Sequence, residues 1–136
     1  MPHILTIDTP GRDLIEITGE IRKLVGGSKV RAGLIHLFMQ HTSASLLIQE
    51  NADPDVRLDL LACFEKLAPE NAGYIHNAEG PDDMPAHIRT ALTATSLSLP
   101  IFEGELALGT WQGVYVFEHR RAAHRRRIVA TIIKEV

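Results

Sequence analysis

Residues 96–136 read SLSLPIFEGELALGTWQGVYVFEHRRAAHRRRIVATIIKEV. Four short runs rich in apolar and β-branched side chains, at 96–102, 106–108, 114–118 and 126–136, alternate with turn-forming stretches. Glu103-Gly104 and residues 121–124 are the clearest of these turns. Runs of this length and composition predict strands, and connections this short join antiparallel neighbours. The C-terminal third therefore reads as an antiparallel β meander.

Working back from it, helices and strands mix. Residues 3–8 predict a strand, Thr9-Pro10-Gly11 a turn, and residues 13–18 a second strand that pairs back on the first. Residues 19–25 carry Ile21, Leu24 and Val25 at helical spacing, and Gly26-Gly27 reads as the helix end. Residues 32–40 and 43–49 predict two more strands, broken at His41-Thr42. Asn51-Ala52-Asp53-Pro54 is a helix start, with Asp53 as cap and Pro54 in the first turn. Val56, Leu60, Cys63, Phe64 and Leu67 follow on one face, so Cys63 reads as core. Another helix is expected near Pro85, capped by Asp82 or Asp83, with Ile88 and Leu92 as its apolar stripe. The order defines one domain over 1–136. Its class is α+β: a mainly antiparallel sheet, meander or sandwich, with two or three helices.

Composition excludes several classes. With 45% hydrophobic and 23% charged residues in 136, the chain has the balance of an ordinary globular domain. Its longest apolar runs fall far short of the roughly 18 residues of a membrane span. The first ten residues, MPHILTIDTP, lack a basic and apolar leader pattern, and one cysteine cannot form an internal disulfide, so a cytoplasmic setting is expected. The net charge of −3, few aromatics and no recognition motif argue against nucleic acid. The arginines around residues 120–127 suit a small phosphorylated ligand or a subunit contact instead.

Three segments carry candidate chemistry. In residues 76–87, HNAEGPDDMPAH, two histidines and three carboxylates surround a Gly-Pro turn. Carboxylates suit Mg²⁺ or Ca²⁺ and imidazoles suit Zn²⁺; the plain alternative is a solvated turn with a helix cap. His41-Thr42-Ser43-Ala44-Ser45 interrupts two apolar runs, and its hydroxyls and N–H groups suit phosphate. His36 lies at an odd spacing from His41, on the opposite strand face, and reads as a core histidine. Gly109-Thr110-Trp111-Gln112-Gly113 suggests backbone constrained near a ligand, or a bulge with Trp111 as a packing anchor. Glu118, just before the arginines, has an ion pair with Arg120 or Arg125 as its structural alternative.

Together, residues 41–45, 50–56 (ENADPDV), 79–87 (EGPDDMPAH) and 109–113 resemble the YjbQ-like family, in order and over nearly the whole chain. Some of its members carry the name secondary thiamine-phosphate synthase. The resemblance implies an α+β fold, a homotrimer with sites near subunit boundaries, and a metal held by histidines. It maps onto His41, Ser43, Asn51, His76, Asp83, His87, Trp111, Gln112 and Glu118. The implied reaction joins a pyrimidine methyl diphosphate to a thiazole phosphate and releases pyrophosphate.

Two enzymatic assignments result. In one, Asp83 with Glu79 or Glu118 helps hold Mg²⁺ or another divalent ion. Thr42, Ser43 and an arginine such as Arg120 or Arg125 grip phosphate, and Trp111 stacks on a heterocycle. In the other, His41, His76 and His87 hold Zn²⁺ or a similar ion for a hydrolase or lyase, with Asp83 or Glu118 as base. Asn51 and Gln112 are expected on the substrate in either case. A trimeric metabolite-binding protein without catalysis is the third possibility.

Overall fold

The computed structural model describes residues 2–136. Eleven elements follow in order: β1 (His3–Thr9), β2 (Asp13–Glu16), α1 (Thr18–Ser28), β3 (Gly33–Met39), β4 (Ala44–Glu50), α2 (Pro54–Leu67), α3 (Asp83–Leu92), β5 (Ser96–Phe102), β6 (Glu105–Leu106), β7 (Gln112–Glu118) and β8 (His124–Lys134). The strands form two antiparallel sheets, ordered β1-β8-β3-β5-β6 and β2-β7-β4. This is the expected α+β class. The order within it is not sequential: the last four strands divide between the sheets. β2 does not pair back on β1 but lies on β7, with Asp13 opposite Glu118.

β7 explains the division. Val114 and Val116 enter the main core with Ile35 and Leu37 of β3, Leu46 of β4 and Ile128 of β8. Tyr115 and Phe117 point the other way, into a second cluster with Leu14, Leu60 and Phe64. Alternate side chains of one strand thus serve two apolar layers, which fixes its register, since a one-residue slip would exchange them. Burying a Val or Phe side chain is worth about 1.5–3 kcal/mol.

The helices depart from the sequence reading in detail. α1 continues through Gly26 and Gly27 and ends at Lys29, whose backbone is left-handed (φ 59°). Helical glycine costs about 1 kcal/mol per residue, and the burial of Ile21 and Val25 offsets it. α2 begins as expected: Asp53 Oδ1 accepts from Asp55 N–H at 2.9 Å, with Pro54 in the first turn. Yet no α2 residue is fully buried, and Cys63 is exposed. α2 covers only one side of the small sheet through Phe64, which meets Phe117 edge-on at 5.1 Å, so Cys63 falls off the contact. α3 turns a polar face inward: Asp83, Arg89 and Thr90 are buried, whereas Leu92 is exposed. His36 is half-exposed on the outer face of its sheet, where Nδ1 meets Ser98 Oγ at 2.9 Å, and is no core histidine.

Candidate functional site

The inward polar face of α3 builds the site. Gly80 (φ 101°) turns the chain into the helix; a Cβ there would lie 3.2 Å from Asp82 Oδ1 in a backbone conformation that side chains rarely adopt. Asp82 stands at the N-cap but makes no side-chain cap bond. Its Oδ2 instead accepts from Arg120 Nε and Arg121 N–H, each at 2.9 Å. That clamps the helix start to the β7–β8 turn.

Asp83 and His87 are four residues apart, and so share a helix face. Asp83 Oδ2 lies 2.6 Å from His76 Nε2 and 3.1 Å from His87 Nε2. One donor atom from each of the three falls within 4.8 Å of the others. Asp83 is buried; both imidazoles are partly open to solvent. Burial alone would push the Asp83 carboxyl up. The His76 hydrogen bond and the charges of His87 and Arg120 outweigh it and hold the carboxyl below its ordinary value.

The hydrogen bonds of His87 restrict its tautomer. Nδ1 lies 2.9 Å from the Thr42 carbonyl oxygen, which can only accept, so Nδ1 carries a proton. A neutral His87 then points a bare Nε2 lone pair at a carboxylate oxygen. Something positive must lie between them: a second proton or a cation. An Nδ1–H on a backbone carbonyl with Nε2 facing outward is the arrangement that orients metal-ligating histidines. The remaining Asp83 oxygen, Oδ1, accepts from Arg120 Nη1 at 2.7 Å, leaving Oδ2 to the imidazole side.

Two imidazoles and one carboxylate fit an ion of the zinc class, with positions left for water or substrate; Mg²⁺ prefers oxygen donors. His41, the third histidine of the sequence reading, is not among these donors. Its Nε2 accepts the Arg127 backbone N–H at 3.0 Å. It lines an open concavity of about 630 Å³ with Thr42, Ser43, Phe38 and Thr95, next to the carbonyl that holds His87.

Arg120 is heavily engaged. Besides Asp82 and Asp83, its Nη2 donates to the Glu79 carbonyl at 2.9 Å, so Nε, Nη1 and Nη2 each hold a group of the chain itself and the side chain positions the carboxylates. Glu118 is equally committed. It is wholly buried and accepts from Thr9 Oγ1 (2.6 Å), Arg126 Nε (2.7 Å), and the His119 and Arg120 N–H groups (3.0 and 3.1 Å). Its ion-pair partner is Arg126, not Arg120 or Arg125. Burial pushes its carboxyl up, but the Arg126 and Thr9 bonds prevail and hold it low. Arg126 also donates to Ser43 Oγ at 3.0 Å.

Asn51, Trp111 and Gln112 lie elsewhere. Ala44 pairs with Glu118 at one end of the small sheet and Glu50 with Gln112 at the other. Six residue steps of strand put the two ends about 20 Å apart. At the far end Asn51 Nδ2 donates to Glu16 Oε2 (3.1 Å) and Gln112 Oε1 accepts Gly109 N–H (2.8 Å). Trp111 is 62% exposed and anchors no core. Within one chain, the candidate residues thus form two groups.

His119, in the turn segment between β7 and β8, carries no assigned role in the sequence pattern. It is buried, with Nε2 2.9 Å from Ser45 Oγ, which in turn receives the Thr93 hydroxyl at 2.6 Å. Burial, with Arg89, Arg12 and Arg126 nearby, pulls its pKa down to about 3. Its position after a strand of alternating apolar residues was the available signal.

The architecture is that of a two-sheet α+β domain with a histidine–carboxylate centre at one end of the smaller sheet. The chain belongs to the YjbQ/UPF0047 family: the family model described as UPF0047 protein YjbQ-like matches residues 3–135. A UPF0047 protein of Synechocystis is 52% identical, over 98% of this chain and 92% of its own length. The UPF0047 protein YjbQ of Escherichia coli O157:H7 is 45% identical over 94% of each chain. A crystal structure of a YjbQ/UPF0047 family protein from Clostridium acetobutylicum superposes with a TM-score of 0.83 at 36% identity, covering 98% of this chain and 99% of that one.

Proposed function

We propose that this protein is a metal-dependent enzyme acting on a small phosphorylated substrate. The observation that carries the reading is the double engagement of His87, with Nδ1 on a carbonyl and Nε2 against Asp83. In this reading His76 Nε2, Asp83 Oδ2 and His87 Nε2 hold a divalent ion of the zinc class. The ion supplies Lewis-acid polarisation of a substrate oxygen or lowers the pKa of bound water. The chain does the rest. Arg120 keeps Asp83 Oδ2 directed at the imidazoles, the Thr42 carbonyl fixes the His87 ring, and Thr42 and Ser43 present polar groups beside them.

Thiamine-phosphate formation is the reaction to assay first, because the family resemblance implies it. The centre would stabilise the leaving diphosphate, and Trp111 would stack on a heterocycle only if a neighbouring subunit brought it there. The homotrimer of this reading has a surface to form on. Leu34 and Ile133 are cross-strand partners exposed on the outer face of the large sheet, and Phe38 is exposed further along. Hydrolysis or elimination on another small phosphorylated substrate is the second reading. It is favoured by the distance of Trp111 and Asn51 from the centre in one chain.

The experiment is turnover of the two thiamine precursors by zinc-loaded protein, beside Asp83→Asn, followed by a panel of phosphorylated metabolites. Turnover that requires Asp83 supports the enzymatic reading, and the substrate chooses between its two forms. Tight ligand binding with no turnover across the panel replaces both with a metabolite-binding role. Among the described residues no helix is long and apolar enough to cross a membrane.

A further inference from the structure

A second polar cavity, of about 410 Å³, opens where the β1–β2 turn, the β7–β8 turn and the segment after α2 meet. Arg12, Arg89 and Arg121 line it, with Glu65, Glu70 and Asn71. Arg89 is 1% exposed, and no carboxylate lies within ion-pairing distance among the described residues. Its Nη2 donates to the Ala68 carbonyl at 3.3 Å, but its Nε has no partner. Arg12 Nε donates to the His119 carbonyl at 3.2 Å, and its buried Nη2 makes no hydrogen bond, lying 3.6 Å from Glu70 Oε1, which makes none either. Glu70 is shared between Arg12 and Arg121, and exposed Glu65 pairs with none of the three.

A buried guanidinium without an anion is costly, and each unmade hydrogen bond adds to the cost. Arg89 is such a group, and Arg12 beside it has only the 3.6 Å contact with a Glu70 that Arg121 also engages. Burial, with Arg12 nearby, pulls the Arg89 pKa down to about 10, and burial likewise lowers that of Arg12. One backbone carbonyl holds each side chain, and a buried nitrogen of each, Arg89 Nε and Arg12 Nη2, is left without a hydrogen bond. Fixed, unsatisfied guanidinium donors converging on a cavity are what a tetrahedral oxyanion requires.

We propose that Arg12, Arg89 and Arg121 form an oxyanion-binding site for free phosphate or the phosphate end of a phosphomonoester. None of these three arginines belongs to the histidine–carboxylate centre. A concavity containing His76 also contains Glu70 and Asn71, so the two regions adjoin. An anion held by the arginines would therefore place the rest of a phosphomonoester towards His76.

The test is calorimetric titration of the full chain with inorganic phosphate and, separately, with methyl phosphate, in dilute buffer. Binding of one phosphate per chain is expected, with Arg121→Gln weakening it about tenfold or more. Arg89→Met, which replaces the buried charge by an apolar side chain of similar length, should abolish it. If Arg89→Met does not fold, Arg121→Gln alone decides. Methyl phosphate binding as well as free phosphate assigns the site to phosphomonoesters; binding of phosphate alone assigns it to the free ion. No saturable heat with wild type, or equal affinity in Arg121→Gln, overturns the proposal. Zinc content of Arg121→Gln should equal that of wild type, which separates this site from the metal reading.

Discussion

His87 Nε2 lies 3.1 Å from Asp83 Oδ2, one helical turn away on α3, while the other nitrogen of the same ring is taken by the Thr42 carbonyl. The helix supplies the spacing and the strand-end carbonyl supplies the orientation. Neither alone would aim an imidazole at a buried carboxylate.

Arg120 sets the second oxygen of that carboxylate. A lysine keeps the charge but cannot span Asp82, Asp83 and the Glu79 carbonyl together. Arg120→Lys should weaken zinc binding about 10–100-fold, as loss of an orienting partner does at metal sites. Competition against a chromophoric chelator measures it; unchanged affinity would show that Arg120 only holds the turn.

Glu118 is expected to act on stability rather than turnover. Glu118→Ala leaves Arg126 buried and unpaired, which should cost about 3–5 kcal/mol in urea unfolding. Metal content of the folded fraction should not change. A stable variant that has lost only activity would restore Glu118 to the chemistry.

His119 predicts an acid-sensitive fold. Its folded pKa of about 3 lies below the ordinary 6.5, so the unfolded chain binds the extra proton first as pH falls. The contribution is complete above about pH 6.5 and is lost towards pH 3, at up to about 1.4 kcal/mol per pH unit. Asp82, Asp83 and Glu118, all held low, add to the loss at the acid end of that window. His119→Gln, which can still bond Ser45, should flatten the urea midpoint between pH 6.5 and 4.5. An unaltered slope would assign the acid sensitivity elsewhere.

Trp111→Ala should change stability by no more than about 0.5 kcal/mol, since the side chain is largely in solvent. If a neighbouring subunit supplies Trp111 to the centre, inactive Trp111→Ala and His87→Ala chains regain activity when refolded together. Mixed chains as inactive as their parents would remove Trp111 from the site.

The features legible in the sequence are the locally determined ones. Asp53-Pro54 announces a helix because cap and first turn are adjacent in the chain, and the strand-rich C-terminus announces the α+β class. Side-chain pattern alone did not show which strands pair: β7 is apolar on both faces, so its alternation cannot say that β2 and β4 flank it. α3 was misread for a physical reason. An apolar stripe of Ile88 and Leu92 was expected to face inward, but the buried face carries Asp83 and Arg89, held by partners remote in sequence. The 76–87 cluster of histidines and carboxylates was legible, but starting the helix near Pro85 hid the four-residue spacing that puts Asp83 and His87 on one helix face. His41 looked equivalent to His76 and His87 because composition does not reveal that its Nε2 is occupied by the Arg127 backbone.

The most direct measurement is metal content by mass spectrometry after zinc loading and gel filtration, for wild type, His87→Gln and Asp83→Asn. The account predicts about one zinc per wild-type chain and a loss of at least tenfold in affinity in either variant, with the fold retained. Wild type that takes up no metal, or variants that bind it as tightly, would contradict a metal centre at His76, Asp83 and His87.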